Sequence, residues 1–94
     1  MNVINVGVIG CGYWGPNLIR NLVELPQTNL VAVVDKREDR LSHIRGLYPQ
    51  VQTIGDYQQL FEMGLDAVVI ATPPATHYAI ARDCLEHGLH VLVE

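Results

Sequence analysis

Runs of consecutive apolar residues, rich in valine and isoleucine, constrain the fold of this 94-residue chain more than any other feature. They occupy residues 3–9, 30–34, 67–71 and 90–93. Because polar residues do not alternate through them, we predict strands that are buried on both faces, as in a parallel sheet covered by helices. Residues 51–54 form a shorter and more polar segment, which predicts an edge strand.

Segments with helical periodicity separate the predicted strands. Proline fixes φ and lacks an N–H group, so it is tolerated in a first turn and otherwise ends a helix. Pro16 and Pro26 therefore bracket the first helix, and Pro49 ends a second helix that starts at Glu38. The side chains expected to face inward are Leu18, Ile19, Leu22, Val23 and Leu25 in the first helix, and Leu41, Ile44, Leu47 and Tyr48 in the second.

The second half of the chain predicts two further helices. Asp56 is a favourable N-cap residue and precedes a short helix that bears Leu60 and Phe61. Thr76 is predicted to cap the last helix, and Gly88 to end it in the left-handed conformation. The inward-facing side chains expected in the last helix are Ile80, Ala81, Cys84 and Leu85.

Strands and helices alternate along the whole chain in this prediction. Right-handed crossovers between parallel strands then give a doubly wound five-stranded sheet, in the order 3-2-1-4-5, with helices on both faces. We therefore predict the Rossmann α/β fold, and residues 1–94 are enough for one such domain.

Composition narrows the classes of function. The net charge of −4 and the absence of a Lys/Arg cluster argue against nucleic acid as a partner. No apolar run approaches the roughly 20 residues of a membrane span, and no signal peptide is recognisable, so we expect a cytoplasmic protein whose two cysteines are reduced. Cys84, His87 and His90 fall on different predicted elements and lack a fourth ligand, so no metal site is predicted.

The segment Gly10-Cys11-Gly12-Tyr13-Trp14-Gly15 has the spacing G-x-G-x-x-G between a predicted strand and a predicted helix. In this context Gly10 permits a tight turn, Gly12 lets a pyrophosphate approach the main chain, and Gly15 lets the helix pack closely. The N–H groups and the positive end of the helix dipole then face the phosphates. The segment predicts a dinucleotide-binding turn, against the alternative of a plain strand–helix turn.

Asp35 ends the second predicted strand, 20 residues after Gly15. A carboxylate at this position can accept hydrogen bonds from the hydroxyls of an adenosine ribose and repels a 2′-phosphate. We therefore predict NAD as the cofactor in preference to NADP, although Lys36 and Arg37 soften that preference. A solvated loop acid is the alternative interpretation of Asp35.

Two interpretations stay open for Tyr13 and Trp14. The glycine turn presents them near the diphosphate or the nicotinamide, where their rings can wall the cofactor site. The alternative is that they pack over the start of the helix or against another domain.

The motifs GVIGCGYWG, Asp35, DAVVIATPPATH and the terminal HVLVE together resemble one known family across essentially the whole chain. This is the N-terminal domain of the glucose–fructose oxidoreductase/inositol dehydrogenase/MocA family. The stretch GYWGPNLIRN is most similar to its bacterial UDP-N-acetylglucosamine-type sugar 3-dehydrogenases. The resemblance implies an oxidoreductase that transfers hydride between a sugar carbon and a nicotinamide.

The resemblance also implies roles for individual residues. Thr72, Pro73 and Pro74 would form the loop that passes the cofactor's ribose and diphosphate, although family members often have Asn in place of Pro74. His77 would lie near the nicotinamide half, and Glu94 would contact the nicotinamide ribose. From the residues alone, His77 is equally well an exposed first-turn residue.

The family's second domain, which supplies the sugar pocket and the acid/base residues, has no counterpart in these 94 residues. We therefore expect the chain by itself to bind the cofactor without catalysing a reaction, and to form homo-oligomers through the surface that the second domain would cover. A stand-alone NAD-binding regulatory module is the alternative function. An S-adenosylmethionine-dependent methyltransferase ranks last, because its glycine turn usually lacks a third glycine such as Gly15.

Overall fold

The computed structural model describes residues 3–12 and 15–93, and its strands form a single parallel sheet. The strands are β1 (Ile4–Ile9), β2 (Thr28–Val34), β3 (Gln52–Ile54), β4 (Ala67–Ile70) and β5 (His90–Val93). Neighbouring strands pair in parallel in the order β3-β2-β1-β4-β5. The predicted Rossmann topology is therefore confirmed, and β3 is the edge strand that its polar sequence indicated.

The helices connect the strands where periodicity placed them. They are α1 (Gly15–Glu24), α2 (Glu38–Leu47), a 3-10 helix (Tyr57–Glu62) and α3 (Pro74–Glu86). Asp56 caps the 3-10 helix as predicted, because its side chain accepts a hydrogen bond from the Gln58 N–H at 2.9 Å. Gly88 has a φ of 79°, which is the left-handed conformation expected after α3.

The prediction that Thr76 caps α3 is wrong. The helix begins at Pro74, whose fixed φ suits a first turn and whose missing N–H costs nothing there. Thr76 lies inside that turn, and its hydroxyl is 2.7 Å from the Pro73 carbonyl oxygen and 2.6 Å from the Thr72 hydroxyl.

Two apolar clusters, one on each face of the sheet, make up the core. The first packs α1 and α2 on the sheet and includes Ile19, Leu41 and Ile44. The second packs the 3-10 helix and α3 on the opposite face and includes Leu60 and Cys84. Strand residues enter both clusters, which explains why the apolar runs show no alternation.

Three leucines that were predicted to face inward are exposed instead. Leu25 follows the last residue of α1, Leu47 is the last residue of α2, and Leu85 precedes the last residue of α3. Helical periodicity marks one face of a helix, but it does not show whether the residues at the helix end are covered.

The topology reverses direction between β1 and β4. From β1 the chain proceeds through β2 to β3 on one side, and from β4 to β5 on the other. The helices that follow β1 and β4 lie on opposite faces, so the carboxyl ends of these adjacent strands border a crevice, which is where open α/β sheets bind ligands. Within the described residues, no helix is long and apolar enough to cross a membrane.

Candidate dinucleotide site

The turn after β1 requires glycine at its first position. Gly10 has a φ of 94°, and its N–H donates to the Val34 carbonyl oxygen at 2.7 Å. A Cβ atom on Gly10 would lie 2.9 Å from the Thr72 Cγ2 atom and 3.0 Å from the backbone of Ala71. Gly10 therefore allows the turn after β1 and the loop after β4 to approach each other at the crevice.

The start of α1 packs directly on this turn. A Cβ atom on Gly15 would lie 3.2 Å from both the Gly10 carbonyl oxygen and the Cys11 Cβ atom. Gly12 is open by comparison, since the nearest atom to its Cβ position is Nη1 of Arg40 at 3.6 Å. The first turn of α1 carries no acidic residue that would compete with a ligand anion. Open backbone beside a helix N-terminus fits a diphosphate.

Asp35 lies at the end of β2, next to the glycine turn, and its side chain is only 7% exposed. The carboxylate oxygen Oδ2 accepts a hydrogen bond from the Cys11 N–H at 2.9 Å and another from the Cys11 thiol at 3.3 Å. The other oxygen, Oδ1, accepts the Arg37 N–H at 2.8 Å. An ionised carboxylate has about four acceptor positions, so Oδ1 retains one for a ligand hydroxyl.

The carboxyl group of Asp35 is held in its ionised form. Burial raises its pKa, but the hydrogen bonds from Cys11 and Arg37 and the charge of Arg40 outweigh burial, so the pKa lies below its ordinary value of 3.8. Asp35 is therefore an anion at neutral pH, as the prediction of a ribose-binding carboxylate requires.

Cys11 is correspondingly held as a neutral thiol. Burial, the hydrogen bond to Asp35 and the carboxylate charge raise its pKa to about 12. A protonated thiol is a donor and a poor nucleophile, so Cys11 serves here as a hydrogen-bonding partner.

The cation that faces Asp35 is Arg40, in the first turn of α2. Its Nη1 atom lies 3.6 Å from Oδ2 of Asp35. Of the two cations named from the sequence, the Arg37 guanidinium pairs with Asp39 at 2.7 Å, and the Lys36 side chain is exposed. Arg37 contributes to Asp35 through its backbone N–H.

The loop after β4 borders the other side of the crevice. Thr72 lies against Gly10, whereas Pro73 and Pro74 are exposed at the start of α3. His77 is half-buried, and its Nε2 atom is hydrogen-bonded to the Thr72 carbonyl oxygen. The structure thus brings Thr72 and the glycine turn together and gives His77 a role in holding the loop.

Some predicted residues fall outside this description. Tyr13, Trp14 and Glu94 lie beyond the described residues, so their predicted contacts stay predictions. Among residues 3–12 and 15–93, no three His, Cys, Asp or Glu side chains are grouped closely enough to hold a metal ion.

Sequence reasoning missed the contributions of Cys11 and Arg40. Cys11 occupies an x position of the G-x-G-x-x-G motif, for which the motif sets no side-chain requirement. Arg40 follows two other charged residues, Glu38 and Asp39, at the start of the second predicted helix. The available signal was position: Arg40 lies in the first turn of α2 and therefore points back toward the end of β2.

Comparisons with known proteins show which family this fold belongs to. Residues 4–94 match the model of the Gfo/Idh/MocA oxidoreductase family, described as its NAD-binding Rossmann fold. Inositol 2-dehydrogenase of Rhodococcus jostii is 34% identical over 95 residues, which cover 99% of this chain and 26% of that protein.

Two solved structures extend the comparison. GenD2 of gentamicin A biosynthesis, in complex with NAD, has a TM-score of 0.91 and 28% identity over 99% of this chain and 27% of its own. KijD10, a 3-ketoreductase of Actinomadura kijaniata in complex with TDP-benzene and NADP, has a TM-score of 0.87 and 30% identity over 98% of this chain and 30% of its own.

The chain spans about a quarter of the length of the curated relatives it matches. The family match, in contrast, covers almost all of the chain and includes both the glycine turn and Asp35. The chain therefore belongs to the Gfo/Idh/MocA oxidoreductase family, as its NAD-binding Rossmann domain.

Proposed function

We propose that this domain is the cofactor half of a two-domain oxidoreductase that transfers hydride between a sugar or sugar-nucleotide hydroxyl carbon and NAD. The observation that carries the proposal is the ionised Asp35 carboxylate, fixed to the glycine turn through the Cys11 N–H at 2.9 Å. This contact joins the glycine turn, which would hold the diphosphate, to the carboxylate that would hold the adenosine ribose.

The residues of this chain bind and orient the cofactor, while bound NAD supplies the carbon that accepts or gives hydride. Gly10, Gly12 and Gly15 present the backbone and the α1 N-terminus to the diphosphate. Asp35 accepts a ribose hydroxyl at Oδ1, where an acceptor position remains. The remaining predicted contacts are Tyr13, Trp14, Thr72, Pro73, Pro74, His77 and Glu94, toward the diphosphate or the nicotinamide half.

NAD is proposed in preference to NADP because Asp35 is buried and anionic next to the ribose position. Repulsion of a 2′-phosphate by this carboxylate is partly offset by Arg40, whose guanidinium is 3.6 Å away. We therefore expect NADPH to bind more weakly than NADH rather than not at all.

A sugar or a related polyol is proposed as the substrate from the relatives. Inositol 2-dehydrogenase is 34% identical to this chain, and KijD10, with its TDP-benzene complex, is 30% identical. The chain covers only 26% of that inositol dehydrogenase, and we propose that the substrate contacts lie outside these 94 residues, which are then expected to bind the cofactor without turnover.

Exposed apolar side chains support the proposal of a homo-oligomer. Tyr78 and Leu85 on α3, together with Leu92 and Val93 on the edge strand β5, are all exposed. Apolar surface beside a strand edge favours association. Light scattering on a purified sample tests this, and a monomer at high concentration contradicts it.

Calorimetric titration of the chain with NADH tests the cofactor proposal, with NADPH and S-adenosylmethionine as competing ligands. We expect saturable NADH binding, weaker NADPH binding and no binding of S-adenosylmethionine. The Asp35→Ala variant should lose most of the affinity, whereas Asp83→Ala, which removes a carboxylate on α3, should retain it. Absence of NADH binding, or preference for S-adenosylmethionine, contradicts the proposal.

The nucleotide sequence of the source gene distinguishes the two-domain enzyme from the alternative, a stand-alone regulatory module. Codons for Lys-Pro and a couple of hundred further residues after Glu94 support the two-domain enzyme. A stop codon at that point supports the regulatory module.

A further inference from the structure

We infer that the Cys11 thiol orients the Asp35 carboxylate so that it can accept a hydrogen bond from the ribose of the cofactor. This inference rests on the proposed function. Cys11 is buried in the glycine turn and directs two donors, its N–H and its thiol, to the same carboxylate oxygen. Oδ2 is thereby filled, and Oδ1 becomes the oxygen with an acceptor position free for a ligand.

The torsion that orients an aspartate carboxylate is intrinsically broad, so hydrogen bonds decide its orientation. Two of the donors on Asp35 are backbone groups, the N–H groups of Cys11 and Arg37, and the glycine turn and the β2 end hold them. The thiol is the one side chain that donates to Asp35 within hydrogen-bond distance, among the residues that the structure describes. It is therefore the donor that a substitution can remove without moving the backbone.

The other charged groups around Asp35 do not replace this contact. Arg40, from α2, is 3.6 Å from Oδ2, which is an ion-pair distance and too long for a good hydrogen bond. Arg37 and Asp39 pair with each other at the surface, at 2.7 Å. Arg40 therefore stabilises the charge of Asp35, and the Cys11 thiol orients its carboxylate.

Cys84 provides a matched control. It is also a buried cysteine, with its thiol pKa raised to about 11 by burial, but it belongs to the cluster on the opposite face of the sheet. Cys11→Ala and Cys84→Ala therefore remove the same atoms from the core, and only the first removes a hydrogen bond to Asp35.

Titration with NADH tests the inference in five variants of the 94-residue chain. Cys11→Ala is expected to bind NADH about threefold more weakly than wild type, because one hydrogen bond to a charged group is lost. Cys11→Ser, which restores a donor, should regain most of the affinity, and Cys84→Ala should bind as wild type does. In an Asp35→Ala background, adding Cys11→Ala should have no further effect.

The acid titration of the Asp35 carboxyl carbon, followed by NMR in the ligand-free protein, gives a second measurement. Since the thiol hydrogen bond lowers the pKa of Asp35, Cys11→Ala should move this titration to higher pH, and Cys84→Ala should leave it in place. A purely structural loss of packing would affect both variants alike.

The outcomes separate this inference from the proposed function. Absence of NADH binding in the wild type overturns both. Wild-type binding that Cys11→Ala does not weaken, or weakens equally in the Asp35→Ala background, overturns the positioning role alone.

Discussion

The domain carries a carboxylate and a left-handed glycine in each of two regions, and the two regions are built differently. Beside the crevice, Asp35 accepts two backbone N–H groups and a thiol, and Gly10 is packed tightly against the loop after β4. Near the end of α3, Asp83 accepts a hydrogen bond from the Tyr57 hydroxyl, and the Cβ position of Gly88 faces open space among the described residues.

Side-chain contacts join the two helices of the second region. His87 stacks on Phe61 with 3.7 Å between the ring centroids and an angle of 7° between the planes, and the Tyr57–Asp83 hydrogen bond joins the same two helices. These side-chain contacts join the end of α3 to the 3-10 helix. At the crevice, two backbone N–H groups and a thiol hold the carboxylate, while the Cβ position of Gly12 stays open. The comparison suggests that the first region serves binding and the second serves stability.

The largest difference is expected from substituting the two glycines. Gly10→Ala introduces a Cβ atom 2.9 Å from Thr72 at a φ of 94°, so the free energy of unfolding should fall by about 3 kcal/mol. Gly88→Ala meets open space and should lose only about 1 kcal/mol, the cost of a left-handed alanine. Urea denaturation measures both, and equal losses would refute the difference in packing.

Removing the Asp35 carboxylate is expected to lower both stability and NADH affinity, whereas removing the Asp83 carboxylate is expected to lower stability alone. Asp35→Ala leaves the buried N–H group of Cys11 and the part-buried N–H group of Arg37 without their acceptor, which should cost about 2 kcal/mol of stability, and should weaken NADH binding about tenfold. Asp83→Ala should lower stability by about 1 kcal/mol and leave NADH binding unchanged. Urea denaturation and calorimetry measure the two effects. Equal losses of affinity in the two variants would remove the functional distinction.

Lowering the pH should reduce the contribution that the ionised Asp35 carboxylate makes to the stability of the fold. The folded-state pKa of Asp35 lies below its ordinary value of 3.8, so its contribution to stability is complete above that value and is lost as pH falls through the folded pKa. Denaturation measured across acidic pH should therefore show a smaller loss in Asp35→Asn than in wild type. Parallel curves would contradict this account of Asp35.

Raising the pH should have a smaller effect, through loss of the hydrogen bond from the Tyr57 hydroxyl to Asp83. The hydrogen bond to Asp83, followed by burial, raises the pKa of Tyr57 to about 12, so its contribution is complete below 10 and is lost as pH rises through 12. Tyrosinate absorbance should show a late titration step, and Tyr57→Phe should remove that step. A late step that persists in the variant would contradict the assignment.

Most of the fold followed from the sequence because its strongest signals are local. A valine-rich run without alternation is stable only when both faces are covered, which predicted a parallel sheet, and right-handed crossovers then predicted its strand order. The failures lie at helix ends: Thr76, one turn into α3, and Leu85, next to the buried Cys84. Their positions depend on where a helix meets the sheet, which periodicity does not specify.

The site was predicted in outline for the same reason. The glycine turn and Asp35 stand in motifs whose spacing has a mechanical meaning. The hydrogen bonds that Cys11 makes to Asp35 span 24 residues, and they exist only because β1 and β2 are neighbours. Such contacts follow from tertiary structure and leave no periodic trace in the sequence.

The two cysteines also give this domain a natural pair of unfolding reporters. Cys11 lies in the core cluster on one face of the sheet and Cys84 in the cluster on the other, and both thiols have pKa values raised by burial. Each becomes reactive only when its own side of the sheet opens. Comparing their labelling rates therefore shows whether the two helical layers detach together or one at a time, without adding any probe to the chain.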